Sequence, residues 1–414
     1  MNGIERESEQ SRRGLRILVL SGITATFAAA APVMAMPVLF AEIAEDLGLT
    51  LVQIGAIWGT ASFAGLFTSL LGGVVGDRFG GRRTLAVTCL LVGLAGASRG
   101  LSNGLASMTV TVFATGLLTA AIPMNLHKVC AMWYSGKQLG RANAVVSGGM
   151  AFGFMLGSLA SATILSPWLG GWRHVLYLYG GITVFLSIPW ALTRSAPRET
   201  SAALEAHDAP SVRQSLAHVA RLRKVWILGI ALLGIGGGIQ GLLGYLPLYL
   251  REIGWAAGLA DGALAGFHGI SLLAVFPLAM LSDRLRSRAR VLIAAAVATA
   301  CGIGLLSFVD GVAIWIAVLL AGAVRDGFMS VVMTTLIEVE GVGATYAGTA
   351  LGLALTLSRI GSLIAPPLGN SLAVYGPRTP FLLWAAMAVL GLGMLGLLER
   401  ETGSGCLYAS DSME

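Results

Sequence analysis

Four ionisable side chains sit within stretches that are otherwise apolar: Lys128, Arg325, Asp326 and Arg359. Together they carry a formal charge of +2. A net cationic site in a medium of low dielectric attracts anions and repels cations. Arginine adds a planar fork of donors that fits a carboxylate two bonds at a time. Arg359 has no acidic neighbour in its run, which makes it the foremost candidate anion ligand, with Arg325 as its companion. Arg325 and Asp326 are adjacent in sequence, so on a helix they point about 100° apart. Each is therefore expected to find its partner elsewhere, in a substrate site or in a structural charge network. Lys128 stands near the end of its run, where a long side chain can reach back to water. Asn125, His127, Gln240, Tyr245 and His268 are the remaining polar candidates for a cavity lining. His127, His268 and Asp326 are candidates for a proton site, and packing is the competing role for both histidines.

The elements that must position these groups follow from composition. Of the 414 residues, 56% are hydrophobic and only 12% charged. Soluble domains run near 25% charged, so a soluble enzyme and a disordered chain are both excluded. The net charge of +6 is gathered in short clusters between apolar runs rather than on one face, which argues against nucleic acid. Twelve apolar runs fall near 17–41, 51–76, 84–101, 105–130, 142–166, 174–193, 226–250, 258–281, 290–309, 312–337, 345–371 and 379–398. Each is about the length that crosses a bilayer as helix, and helix is forced because backbone groups in lipid must be satisfied within the segment. The fold class is an all-α membrane protein. An ionised group at mid-bilayer costs about 2.5–3.5 kcal/mol on insertion scales, so a span that keeps one has a use for it.

Lys and Arg set the orientation. With the amino terminus in the cytoplasm, twenty of the 27 cations fall inside. Four fall outside (Arg99, Arg173, Arg251 and Arg378) and three lie within runs. Both termini are expected to be cytoplasmic. The chain divides into a short cytoplasmic segment, 1–16, a six-helix half, 17–193, and a polar loop, 194–224. A second six-helix half, 225–398, and a polar tail without regular structure, 399–414, complete it. The halves echo one another: Gly76-Asp77-Arg78 follows the second run and Ser282-Asp283-Arg284 the eighth. Glycines at 149, 153 and 157 mark a close-packing stripe. Cys89, Cys130, Cys301 and Cys406 are too far apart for a paired-cysteine motif, and they read as free thiols.

The loop Gly73-Val-Val-Gly-Asp77-Arg78-Phe-Gly80-Gly-Arg82-Arg83 resembles the signature loop of the major facilitator superfamily. The resemblance covers nearly the whole chain, given twelve runs, a basic central loop and the Asp-Arg echo. It implies two pseudo-symmetric six-helix bundles. It further implies a gating latch at Asp77 and Arg78, supported by Gly73, Gly80, Arg82, Arg83 and Arg141, and by Asp283 and Arg284 in the second half. Asp77 can attract Arg82 or Arg83 and the positive end of a neighbouring helix. Gly81 stands where the family often has a basic residue, and Arg286-Ser287 depart from the pattern, so the second latch is degenerate. The junction Met132-Trp133-Tyr134…Gly140-Arg141-Ala142-Asn143 is similar to that of anion-transporting branches, among them oxalate/formate-, cyanate- and organic-anion/proton symporter-like families. The fifth run lacks the Gly-Pro pair of drug/proton antiporters.

The resemblance implies a secondary transporter of the cytoplasmic membrane, a symporter or antiporter working by alternating access. It would move a small organic anion, coupled to protons or by exchange. Efflux of drugs or neutral metabolites is the alternative. No phosphate-binding Gly-x-x-x-x-Gly-Lys-Ser/Thr loop, HExxH motif or Ser-His-Asp set is present, so neither an ATP-driven pump nor an enzyme is expected. No metal or cofactor is expected. The expected partners are the anionic solute, protons and the lipid bilayer, with the chain acting as a monomer.

Overall fold

The structure is a computed structural model that describes residues 3–79, 81–134, 136–193, 212–284 and 288–410. Its first half holds six helical spans. Helix α1 runs through Gly3–Thr24, a π-helical turn Ala25–Ala30 and Ala31–Leu47. Then follow α2 (Leu51–Phe79), α3 (Gly81–Ser98, ending in a 3-10 turn Arg99–Leu101) and α4 (Leu105–Thr119 and Ala121–Trp133). Helix α5 comprises Gly136–Ala160, a second π-helical turn Ser161–Leu165 and Ser166–Leu169, and α6 is Trp172–Leu192. Among the described residues the second half opens on a short helix α7 (Val212–Val219). It continues with α8 (Arg223–Glu252), α9 (Ala257–Arg284) and α10 (Arg288–Leu305). Helix α11 is Ala313–Ala323 plus Arg325–Glu338, α12 is Gly343–Ser371 with a 3-10 turn Leu372–Tyr375, and α13 is Thr379–Ser410.

Eleven of the described helices are long and apolar enough to cross a membrane, and Leu51–Phe67 is a shorter apolar helix, matching the twelve runs. No strand occurs among the described residues. Two expectations change. The central loop contains helix α7, whose Val219 is buried. His218 stacks on Tyr346 at 4.3 Å, and its Nε2 lies 2.7 Å from the Gly341 carbonyl, so tertiary contacts hold a helix too short to persist alone. The tail is helical to Ser410, because extending an existing helix is far easier than starting one.

The chain forms two compact units: Met1–Leu49 with Ala64–Asp208, and Thr50–Phe63 with Ala209–Glu414. In the first unit the glycine stripe is a contact line. A Cβ on Gly149 would lie 2.7 Å from the Gly22 carbonyl oxygen, and one on Gly153 would lie 2.6 Å from that of Thr26. A Cβ on Gly157 would strike the Ala31 carbonyl. Backbone therefore lies on backbone along the α1–α5 seam, and Thr26 Oγ1 donates across it to the Gly149 carbonyl at 2.9 Å. Trp190 Nε1 donates to Thr24 Oγ1 at 2.9 Å and pins α6 to the same helix. The π-helical turn of α1 falls just before Pro32, which has no N–H to give the carbonyl four residues back.

In the second unit the glycines of α8 do the same work. A Cβ on Gly238 would sit 2.7 Å from the Trp384 carbonyl, and one on Gly237 2.9 Å from that of Gly361. Asn370 Nδ2 donates to the Leu51 carbonyl at 2.7 Å and Trp58 Nε1 to the Gln240 carbonyl at 2.8 Å, which explains why Thr50–Phe63 belongs here. Cys89 and Cys130 are buried free thiols, and Cys301 is exposed.

Gly148 faces open space, with nothing within 4 Å of where a Cβ would stand, whereas Gly153 faces backbone. Gly153→Ala should lower the thermal midpoint in detergent, by an overpacking cost of about 1–3 kcal/mol. Gly148→Ala should leave it unchanged or raise it, since glycine inside a helix costs roughly 0.5–1 kcal/mol against alanine. Equal effects of the two changes would refute the seam.

Candidate functional site

Helix α11 breaks at Val324 (φ −99°, ψ −10°) and restarts at Arg325. Asp326 thus falls in the first turn of the new segment, where the exposed N–H groups and the helix dipole favour a carboxylate. Its Oδ1 accepts from Arg325 Nη1 at 3.0 Å. Its Oδ2 accepts from Ser271 Oγ at 2.8 Å, and Ser271 Oγ in turn lies 3.2 Å from the Asp326 N–H that donates to it. Asp326 thus has the expected partner on another helix, Ser271, and in addition meets its sequence neighbour. The arginine side chain is long enough to fold back along the helix restart and meet its neighbour. Both groups keep some solvent access, at 23% and 32%. His268 stands one turn before Ser271 on α9, is 1% exposed, and lies within electrostatic reach of Arg325. The second unit therefore gathers Arg325, Asp326, Ser271 and His268 into one polar cluster between α9 and α11. Ser271 is the member that sequence reasoning misses; its only signal is its place three residues after His268.

Arg359 occupies the middle of α12 and is exposed. Ser358 and Ser362 beside it are 9% and 8% exposed, and a Cβ on Gly236 would sit 2.7 Å from Ser358 Oγ. The serine face of α12 packs on α8, and the arginine points away from that packing. Among the described residues Arg359 has no hydrogen bond and no ion pair.

The other candidates have local duties. Asn125 is 2% exposed and its Nδ2 donates to the Ala121 carbonyl one turn back, at 2.8 Å. His127 Nδ1 lies 3.0 Å from Asn143 Oδ1 and links α4 to α5. Gln240 lends its backbone carbonyl to Trp58. Tyr245 is fully buried, and its hydroxyl donates to the Pro377 carbonyl at 3.1 Å. Its ring belongs to a cluster with Tyr249, Phe381 and Trp384, centroids 5.5–6.3 Å apart where Tyr245 or Trp384 is one partner. An aromatic with one apolar body and one satisfied polar tip is at home in such packing.

Of the loop residues, Gly80 lies outside the described residues, and so do the surroundings of Gly73 and the side chains of Asp77, Arg78, Asp283 and Arg284. Arg82 donates to the Thr193 carbonyl and ties the start of α3 to the end of α6. Arg83 and Arg141 are exposed. In the second half Arg290 Nε pairs with Glu399 at 3.1 Å, joining the start of α10 to α13. Arg288 pairs with Glu338 at 2.6 Å.

Residues 18–365 match the family model of the Major Facilitator Superfamily. The chain belongs to that superfamily. It is therefore a multi-pass membrane transporter with twelve spans in two pseudo-symmetric halves. It is 25% identical over 373 residues to the 3-(3-hydroxy-phenyl)propionate transporter of Escherichia coli (strain K12), covering 87% of this chain and 88% of that one. It is 26% identical over 379 residues to the multidrug resistance protein MdtG of Enterobacter lignolyticus (strain SCF1), covering 89% and 88%. The crystal structure of the nucleoside transporter NupG (D323A mutant) superimposes with a TM-score of 0.78 at 13% identity, covering 93% of this chain and 99% of that one.

The Arg325–Asp326 contact is measurable. Asp326→Ala should lower the thermal midpoint, because it removes the carboxylate that faces the half-buried Arg325 guanidinium. Adding Arg325→Ala should recover part of the loss, with a coupling of about 0.5–3 kcal/mol in a double-mutant cycle. Strict additivity of the two changes would mean the contact is not energetically real.

Proposed function

We propose that the protein moves a small organic carboxylate across the cytoplasmic membrane, and that Arg359 is the side chain that binds it. The observation that carries this reading is a mid-span arginine directed away from the α8–α12 packing, with no partner among the described residues. Keeping such a charge within a span is costly unless an anion meets it. A guanidinium also selects the geometry of a carboxylate over that of a neutral solute. The propionate named for the Escherichia coli relative supports the carboxylate class.

In this reading the Arg325–Asp326–Ser271–His268 cluster couples transport to protons. Asp326 can take up a proton and release Arg325, so that a proton and an anion change the same network together. The solute alternates between two faces of the membrane by rocking of helical bundles, the mode of motion of this transporter class. Both termini are assigned to the cytoplasm on the distribution of Lys and Arg. A carboxy-terminal reporter that is active only in the cytoplasm should therefore be active. The working unit is a monomer.

Proteoliposomes loaded at one pH and diluted into another test the substrate reading, with labelled 3-(3-hydroxyphenyl)propionate as the probe. Arg359→Gln should cut uptake at least tenfold, the loss expected when a bond worth about 1.4 kcal/mol or more is removed. Arg359→Lys should keep part of it. Asp326→Asn should abolish accumulation driven by the pH gradient while leaving exchange. Uptake untouched by Arg359→Gln would sink the carboxylate clamp. Transport of lipophilic drugs by both forms would favour efflux, a reading in keeping with the multidrug resistance named for the MdtG relative.

A further inference from the structure

A second arginine lacks a counter-charge among the described residues, and unlike Arg359 it is buried; it belongs to the other unit. Arg99 forms the 3-10 turn at the end of α3 and is 4% exposed. The charge distribution along the sequence places it among the charges on the outer side, and its side chain is buried there rather than solvated. Its Nε donates to the Gly96 carbonyl at 3.1 Å, while its Nη2 is buried without a hydrogen-bond partner. Arg99 lines a small space together with Pro32 of α1, Thr115 and Thr119 of α4, and Tyr179 and Thr183 of α6. The space measures about 10 Å³. That is close to one water-sized sphere and far below the several hundred Å³ of an organic ligand's pocket.

The described carboxylates of this unit are engaged elsewhere or exposed. Glu42 accepts from Ser166 Oγ at 2.5 Å, and Asp46 accepts from Trp172 at 3.2 Å and Arg173 at 2.8 Å. Glu45 is exposed. Among the described residues no carboxylate pairs with Arg99. The hydroxyls around the cavity are neutral. Those of Thr115, Thr119 and Thr183 donate to carbonyls one turn back, at 2.7, 2.8 and 2.8 Å. A buried cation that keeps its charge needs an opposite charge close by. No described side chain supplies one, and the space is too small for an organic anion.

We propose that this cavity is a chloride site, with Arg99 Nη2 as its principal donor. Tyr179 supplies a second donor. Its hydroxyl lies 3.0 Å from Ser161 Oγ, and either oxygen can be the donor of that bond. When Ser161 donates, the phenolic proton is left for the anion. The chloride neutralises the guanidinium and closes α1, α3, α4 and α6 around one centre. The site is built from the first unit alone, without Arg359, and does not depend on which solute is carried.

The test needs no transport substrate. Purified protein in detergent is unfolded thermally at constant ionic strength while gluconate, too large for the cavity, is exchanged for chloride or bromide. The midpoint should rise with halide and saturate. Arg99→Gln should abolish the response. Crystals of the unaltered protein grown in bromide should show an anomalous peak beside Nη2, which keeps the test open if Arg99→Gln does not fold. A midpoint flat from zero to molar chloride, an equal halide response in Arg99→Gln, or a water in place of the bromide peak would each overturn the site.

Discussion

Helices dissolved in lipid gain nothing by hiding one leucine against another, because the solvent is as apolar as the side chain. Association has to come from close van der Waals contact and from polar bonds that cross between helices. Contact that close is possible only where a side chain is missing. Gly149, Gly153 and Gly157 bring α5 onto the backbone of α1, and Gly234, Gly237 and Gly238 bring α8 onto α12 and α13. Polar bonds across the helices follow where these seams bring backbones together. Thr26 reaches the Gly149 carbonyl because the backbones touch. Ser358 is pressed onto α8, so Arg359, the next residue on α12, turns out of the seam.

The charges then sort by what the seams leave them. Arg325 and Asp326 neutralise one another at a helix restart, and Ser271 holds the carboxylate in place. Arg251 and Asp261 meet at 2.6 Å, with the aspartate fully buried. Arg359 and Arg99 lack such a partner among the described residues, and they do so in different surroundings. Arg359 is exposed on α12. Arg99 is enclosed, with room for a single small occupant.

The spans, the superfamily and the glycine stripe are all legible in the sequence, because hydropathy and small-residue spacing act along a single helix. Misreadings arise wherever a side chain's fate depends on a neighbouring helix. Arg99 stands at the end of the apolar run 84–101, and that position is the available sign that it is buried. Nothing local announces that α1, α4 and α6 close over it. The turn at Val324 is equally silent: without it Arg325 and Asp326 are two residues on different sides of a helix, and with it they form a pair. Tyr245 looks like a cavity residue in isolation and becomes core once Phe381 and Trp384 arrive from α13. Helix α7 is invisible in the sequence because its hold on Tyr346 and Gly341 spans more than a hundred residues.

The tie from Arg82 to Thr193 has a counterpart in the second half, where Arg290 meets Glu399. In each half the beginning of the third span is strapped to the last span, so each set of six is hooped at one end. The straps differ in kind. One ends on a backbone carbonyl, which carries no net charge. The other ends on a carboxylate and lies open to water, with the arginine side chain 74% exposed. Dissolved salt weakens a solvated ion pair far more than a bond to a neutral carbonyl. The tie of the second half therefore weakens more as ionic strength rises than that of the first, so salt acts unequally on the two halves of a pseudo-symmetric fold.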